Sequence, residues 1–95
     1  MAIEQNLTIN SDAIMTVNGT FVFGQYKKNT SLNLSSLATL KLQGNTVIYG
    51  DLKLNSGSTL EFIGEENTIT VYGTVTINSG APLIGTFKAT EGKFT

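Results

Sequence analysis

The sequence predicts an all-β chain wound into a short right-handed parallel β-helix of about four coils, on three observations. Apolar residues alternate with Thr, Asn, Lys and Glu at period two, with no sustained helical spacing. Gly, Asn and Ser interrupt the chain every few residues, as turns between short strands require. One pattern of alternating residues and corner returns four times in the same phase, and such self-similarity is the mark of a repeat architecture.

Each element follows from that pattern. Leu7-Thr-Ile-Asn-Ser-Asp-Ala-Ile-Met-Thr-Val17 aligns with Leu32-Asn-Leu-Ser-Ser-Leu-Ala-Thr-Leu-Lys-Leu42. It aligns again with Leu52-Lys-Leu-Asn-Ser-Gly-Ser-Thr-Leu-Glu-Phe62 and with Val75-Thr-Ile-Asn-Ser-Gly-Ala-Pro-Leu83. The starts are 25, 20 and 23 residues apart (7 to 32, 32 to 52, 52 to 75). A second shared piece follows the first three, Val22-Phe-Gly24, Ile48-Tyr-Gly50 and Val71-Tyr-Gly73. Each unit therefore reads as strand, Asn/Ser corner, strand, gap, strand, glycine corner, with units at about 7–24, 32–50, 52–73 and 75–87 and a tail at 88–95. All belong to one domain, residues 1–95. The inward set is Leu7, Ile9, Met15 and Val17, then Leu32, Leu34, Leu40 and Leu42, then Leu52, Leu54, Leu60 and Phe62, then Val75, Ile77 and Leu83. Differences in unit length are assigned to loops at Gln25–Ser31 and at Glu65-Glu66-Asn67.

A unit of this size cannot bury its own apolar side. Stacking successive units buries a continuous core, which is the logic of a solenoid. An antiparallel β-sandwich or jelly roll is the alternative for eight or nine short strands. It needs no sequence repeat, and its hairpins call for Asn-Gly or Asp-Gly turns, of which Asn18-Gly19 is the one instance.

Composition narrows the function. The chain has no His, Cys or Trp, and its six basic residues are all lysines. That removes the usual proton shuttle, the thiolate and imidazole metal ligands, and the bidentate guanidinium. At net charge −1 it lacks the basic footprint that nucleic acid requires. No apolar run approaches the ~20 residues that cross a bilayer, and the opening residues lack the basic and apolar regions of a secretory signal. No enzyme, cofactor, nucleic-acid partner or membrane span is expected.

Ile48-Tyr-Gly-Asp-Leu-Lys-Leu-Asn-Ser-Gly57 and Val71-Tyr-Gly-Thr-Val-Thr-Ile-Asn-Ser-Gly80 resemble the parallel β-helix repeats of phage tailspike and fibre proteins and of autotransporter adhesins. The resemblance spans about three quarters of the chain. It implies a fold, carries no catalytic residues onto this sequence, and makes a virion or cell-surface setting the expectation.

Candidate sites are few. Asn10, Ser35, Asn55 and Asn78 share one repeat position and are expected to stack as a polar corner ladder. Lys41 is expected to lie over Glu61, roughly 5 Å along the axis. Tyr26, Lys27 and Lys28, on the longest predicted loop, are the candidate contact with an acidic partner. Glu65, Glu66 and Asn67 offer oxygen ligands for Ca²⁺ but too few for a cage, so they are assigned to a solvated loop. Asp51 and Glu61 lack the mark of a glycosidase pair facing one cleft. Outward Thr8, Asn33, Lys53 and Thr76 are too irregular for an ice-binding threonine array. The Asn-x-Ser/Thr matches at Asn6, Asn18, Asn29 and Asn33 are assigned to turn chemistry.

The ends of a solenoid pose the remaining question, because each terminal coil leaves an unpaired strand edge. Met1–Gln5 are too short to form a helical cap, while the polar tail Thr86–Thr95 can fold over one end. The function expected from this is a non-enzymatic subunit of a larger assembly, self-associating as a homotrimer or stacked fibre. The setting expected is a virion, as capsid decoration, spike or fibre. The alternative is a cell-surface adhesin fragment that binds glycan or receptor.

Overall fold

The structure, a computed structural model, describes residues 1–90 and 92–94. Glu91 and Thr95, at the end of the predicted tail, lie outside the described residues. Among the described residues there is no helix and there are thirteen strands. In chain order these are β1 (Ala2–Ile3), β2 (Leu7–Ile9), β3 (Ile14–Asn18), β4 (Phe21–Phe23), β5 (Ser31–Leu34), β6 (Thr39–Gln43) and β7 (Asn45–Ile48). They continue with β8 (Asp51–Leu54), β9 (Thr59–Phe62), β10 (Thr68–Val71), β11 (Val75–Ile77), β12 (Leu83–Ile84) and β13 (Lys88–Ala89).

Every third strand joins the same sheet. The orders are β1-β4-β7-β10-β13, β2-β5-β8-β11 and β3-β6-β9-β12, here called the first, second and third sheets. Every pairing is parallel. The chain is thus a three-sided parallel β-solenoid of about four coils, and the sandwich alternative is excluded.

The repeat in the sequence is the register of the ladders. Leu7, Leu32, Leu52 and Val75 form one column, and Ile9, Leu34, Leu54 and Ile77 the next. Met15, Leu40, Leu60 and Leu83 stack in the third sheet, beside Val17, Leu42 and Phe62. Because strand side chains alternate between faces, keeping like over like sends these apolar columns inward. Leu32, Leu34, Leu40, Leu54 and Leu60 are completely shielded from water. Lys41 and Glu61 are register neighbours on the outer face.

The first sheet differs from expectation by one residue. Val22 stands over Val47 and Phe23 over Ile48, not Val22 over Ile48 as the aliphatic-aromatic-glycine alignment predicts. The shift turns both Phe21 and Phe23 inward, where they are fully buried and meet edge to face at 6.3 Å. Burying two phenylalanines outweighs matching one corner glycine. Strands β1 and β13 were not anticipated either. Each has two residues, too short to show an alternation.

The Asn/Ser corners are four equivalent turns. The carbonyls of Asn10, Ser35, Asn55 and Asn78 accept from the N–H of Ala13, Ala38, Ser58 and Ala81 at 3.0, 3.0, 3.0 and 3.2 Å. The third residue of each turn has a left-handed φ: Asp12 at 67°, Leu37 at 69°, Gly57 at 81° and Gly80 at 76°. Glycine suits that position, whereas a Cβ there costs roughly 1–2 kcal/mol. Leu37 is exposed, so its side chain recovers little by packing. Leu37→Gly is accordingly expected to stabilise the fold by about 1 kcal/mol, after the extra chain entropy of glycine is subtracted. A rise of a few degrees in thermal midpoint would show it. A fall would mean that Leu37 makes contacts worth more than its backbone strain.

Candidate interaction surfaces

The corner joining the second and third sheets is structural. The Asn55 side-chain amide donates to the Leu34 carbonyl at 2.8 Å, and the Asn78 amide reaches Asn55 Oδ1 at 3.5 Å. Ser35 is too short to join this ladder by its side chain, and its contact with the coil below is the backbone bond from its N–H to the Ile9 carbonyl. Asn10 sits on the exposed first coil. The four residues hold equivalent turn positions, and side-chain bonds along the column are made by Asn55 and Asn78.

The corner joining the first and second sheets carries the exposed aromatic groups. The 24–30 loop between β4 and β5 lies there, as do Tyr49 between β7 and β8 and Tyr72 between β10 and β11. All three tyrosines of the chain therefore stand at one corner. The rings of Tyr49 and Tyr72 stack at 5.2 Å and 20°. Lys28 places its ammonium 5.7 Å from the Tyr49 ring centre, within cation–π range. Tyr26 is 81% exposed, while its N–H donates to Glu4 Oε1 at 2.9 Å. The loop is closed at its base by the Lys27 carbonyl, which accepts from both the N–H and the hydroxyl of Thr30. The predicted contact residues Tyr26, Lys27 and Lys28 thus join Tyr49 and Tyr72. The sign of this in the sequence was the Tyr-Gly pair repeated one coil apart at 49–50 and 72–73.

The acidic candidates have structural roles or stand apart. Asp51 Oδ1 accepts from the Thr74 N–H at 2.8 Å. Asp51 and Glu61 belong to different sheets, so they do not face one cleft. Glu65 and Glu66 are exposed, whereas Asn67, grouped with them in the sequence as part of a solvated loop, is buried. Its side-chain amide donates to the carbonyls of Ile63, Gly64 and Thr86 at 3.0, 3.1 and 3.0 Å. Its Oδ1 accepts from the Gly44 N–H at 2.8 Å. Asn67 holds three chain segments together, with its oxygen turned to the Gly44 N–H. Among the described residues no group of three or more acids could hold a metal ion.

The two ends of the solenoid are finished differently. At the C-terminal end Phe87 stacks on Phe62 with ring centres 4.3 Å apart, and Phe94 meets Phe87 edge-on at 6.1 Å. The segment is tied down by Lys88 N–H to the Asn67 carbonyl at 2.8 Å, Thr90 N–H to Ile69 at 3.1 Å, and Lys93 N–H to Val71. The described part of the tail thus lies against this end through Phe87 and Phe94, while Val75 and Leu83 stay half-buried. Ile77 at the rim stays 47% exposed. At the N-terminal end β1, β2 and β3 are the outermost strands of their sheets. Ile3, Leu7 and Met15 point inward there yet are only half-buried. Met1 is tied by its ammonium to the Thr20 carbonyl at 2.6 Å, and its side chain is exposed.

No protein-family model, curated protein or solved structure matches this chain.

Proposed function

We propose that this chain is a non-enzymatic structural subunit that associates with copies of itself inside a larger assembly. One observation carries the reading: both ends present outermost strand edges beside partly covered apolar side chains, Ile3, Leu7 and Met15 at the N-terminal end and Val75, Ile77 and Leu83 at the C-terminal end, where Phe87 and Phe94 lie against the core. Unpaired edges beside apolar surface are a template for another chain, and solenoids ordinarily cover them. The arrangement of Asp51 and Glu61 on separate sheets supports the non-enzymatic part. The setting proposed is a virion, with this chain as capsid decoration, spike or fibre. It rests on the resemblance of the repeats at 48–57 and 71–80 to those of tailspikes. Light scattering on the purified chain across a hundredfold dilution is expected to give the mass of a homo-oligomer that dissociates as concentration falls. A folded monomer at every concentration would overturn the proposal.

The Tyr26, Tyr49, Tyr72 and Lys28 corner favours a second reading, a cell-surface adhesin fragment that binds glycan or receptor. Tyrosine offers a large apolar surface and a hydroxyl at low entropic cost, and it is enriched where proteins bind. A glycan array on the native chain and on Tyr26→Ala tests it. Binding that Tyr26→Ala abolishes supports this reading, and no binding by the native chain removes it.

A further inference from the structure

We infer that the N-terminal end pairs with the same end of a second copy about a two-fold axis through Thr16, by antiparallel pairing of the two β3 strands. The inference rests on the self-association proposed above and specifies its contact.

The first argument is which groups the edge leaves open. Thr39 N–H donates to the Ala13 carbonyl at 2.9 Å and Gly19 N–H to Gln43 at 2.6 Å. These bonds mark the odd-numbered residues along β3 as the ones bonded to β6. Successive residues of a strand direct their backbone groups to opposite sides, so Ile14, Thr16 and Asn18 turn their N–H and C=O groups toward the open edge. They are spaced evenly about Thr16. An antiparallel partner centred there gives the hydrogen-bonded pairs Ile14 with the second copy's Asn18, Thr16 with Thr16, and Asn18 with Ile14. Each such pair exchanges two bonds.

The second argument is side-chain symmetry. Met15 and Val17 face the core and flank Thr16. In the antiparallel register Met15 lies across from the second copy's Val17, so the apolar interior runs through the contact. No residue of β1, β2 or β3 is charged, and Glu4 and Asp12 sit between those strands at the corners. Pairing β3 with β3 therefore sets no like charges opposite each other along that ladder, and Glu4, at the corner the two-fold lays on its own copy, has its carboxylate engaged by the Tyr26 N–H of its own chain. The outward Ile14, 64% exposed, gains a neighbour.

The third argument is the mismatch between the two ends. A head-to-tail stack would seat β3 on β12, which has two residues against five and follows Pro82 directly. Short strands, proline and lysine are the usual guards of an edge. The C-terminal end has all three, with Lys88 in β13, and the cap of Phe87 and Phe94 besides. The N-terminal end carries none on its longest strand. Two N-terminal ends fit one another, since a two-fold through the third sheet keeps that sheet in line and lays β1 over the second copy's β2.

Size permits the contact. The chain measures 29 × 29 × 22 Å, and five rungs about 4.8 Å apart account for the short dimension. A triangular end of that width gives roughly 400 Å² per copy, so the joined ends bury on the order of 1,000 Å² with side-chain relief, the small end of specific interfaces. The association is accordingly expected to be on the order of micromolar, and its product is a closed pair.

The chain has no cysteine, so single substitutions report the contact. Thr16→Cys is expected to give a covalent dimer with a short thiol-to-thiol cross-linker, because hydrogen-bonded antiparallel residues lie about 5.5 Å apart. Thr76→Cys, at the opposite end, is expected to give no covalent dimer under the same treatment. Thr16→Pro removes an edge donor without touching the β6 ladder and is expected to weaken association about tenfold or more. A native oligomer that cross-links through Thr76→Cys and not Thr16→Cys would overturn this contact while leaving self-association standing. A native monomer with no cross-link at either site would overturn both.

Discussion

Leu54→Ala is expected to destabilise the chain by about 3–4 kcal/mol, whereas Ile77→Ala in the same column is expected to cost under about 1 kcal/mol. The two residues are register partners, so the substitutions remove similar groups from one stack. They differ in what covers them. Leu54 is fully buried, with Leu34 beneath it and Ile77 above, and truncation leaves a cavity that the closed coil cannot fill by collapsing. Ile77 ends the column and already faces water over nearly half its surface. Denaturant unfolding with unchanged m-values would report both numbers. Equal costs would mean that the coils do not bury a common column, and the fold assignment would fall with them.

Asn67→Ala is expected to cost about 3 kcal/mol, and Glu66→Ala next to it close to nothing. The asparagine is buried, and its side chain bonds to Ile63, Gly64, Thr86 and Gly44. Removing it deletes four hydrogen bonds, each contributing about 1 kcal/mol net, and leaves a gap where a buried side chain stood. The loss is directional as well. The bond to Thr86 anchors the segment leading into β13, so amide exchange at Lys88 and Thr90 should accelerate more than exchange in the middle coils. Uniform acceleration, or a cost matching that of Glu66→Ala, would show that Asn67 is not the fastener described.

The fate of Asn67 shows why part of this molecule was legible in the sequence and part was not. Columns such as Leu7, Leu32, Leu52 and Val75 could be read because parallel stacking makes the same demand at each coil, and a demand made four times leaves a pattern. The corner turns were legible for the same reason, through Asn10, Ser35, Asn55 and Asn78. A residue used once leaves no such trace. Asn67 followed two glutamates and looked like a solvated loop, because nothing local reveals that its amide reaches Thr86 in the next coil. The register of the first coil was misread where two rules disagreed, a shared glycine ending against the burial of Phe21 and Phe23, and burial prevailed. The Tyr49 and Tyr72 stack lay between these cases, since two copies of a dipeptide hint at a column and do not prove one. The open edge of β3 was foreseen only as a general problem of ends. That Ile14, Thr16 and Asn18 point outward depends on which residues bond to β6, and alternation alone cannot say which parity does.

The uneven spacing of the coils has a consequence for how such a scaffold can change. The 24–30 loop lets one coil exceed the next by five residues (25 against 20), yet Leu32 still lands on Leu7 and Leu52 on Leu32. Lengthening a connection by this amount, from two residues at 49–50 to seven at 24–30, adds only about 1 kcal/mol of closure entropy. Rung identity and loop length are thus separate variables: the first is held tightly by packing, and the second is almost free to drift. New outward decoration can accumulate at the corners of this chain while its interior goes on obeying the same template.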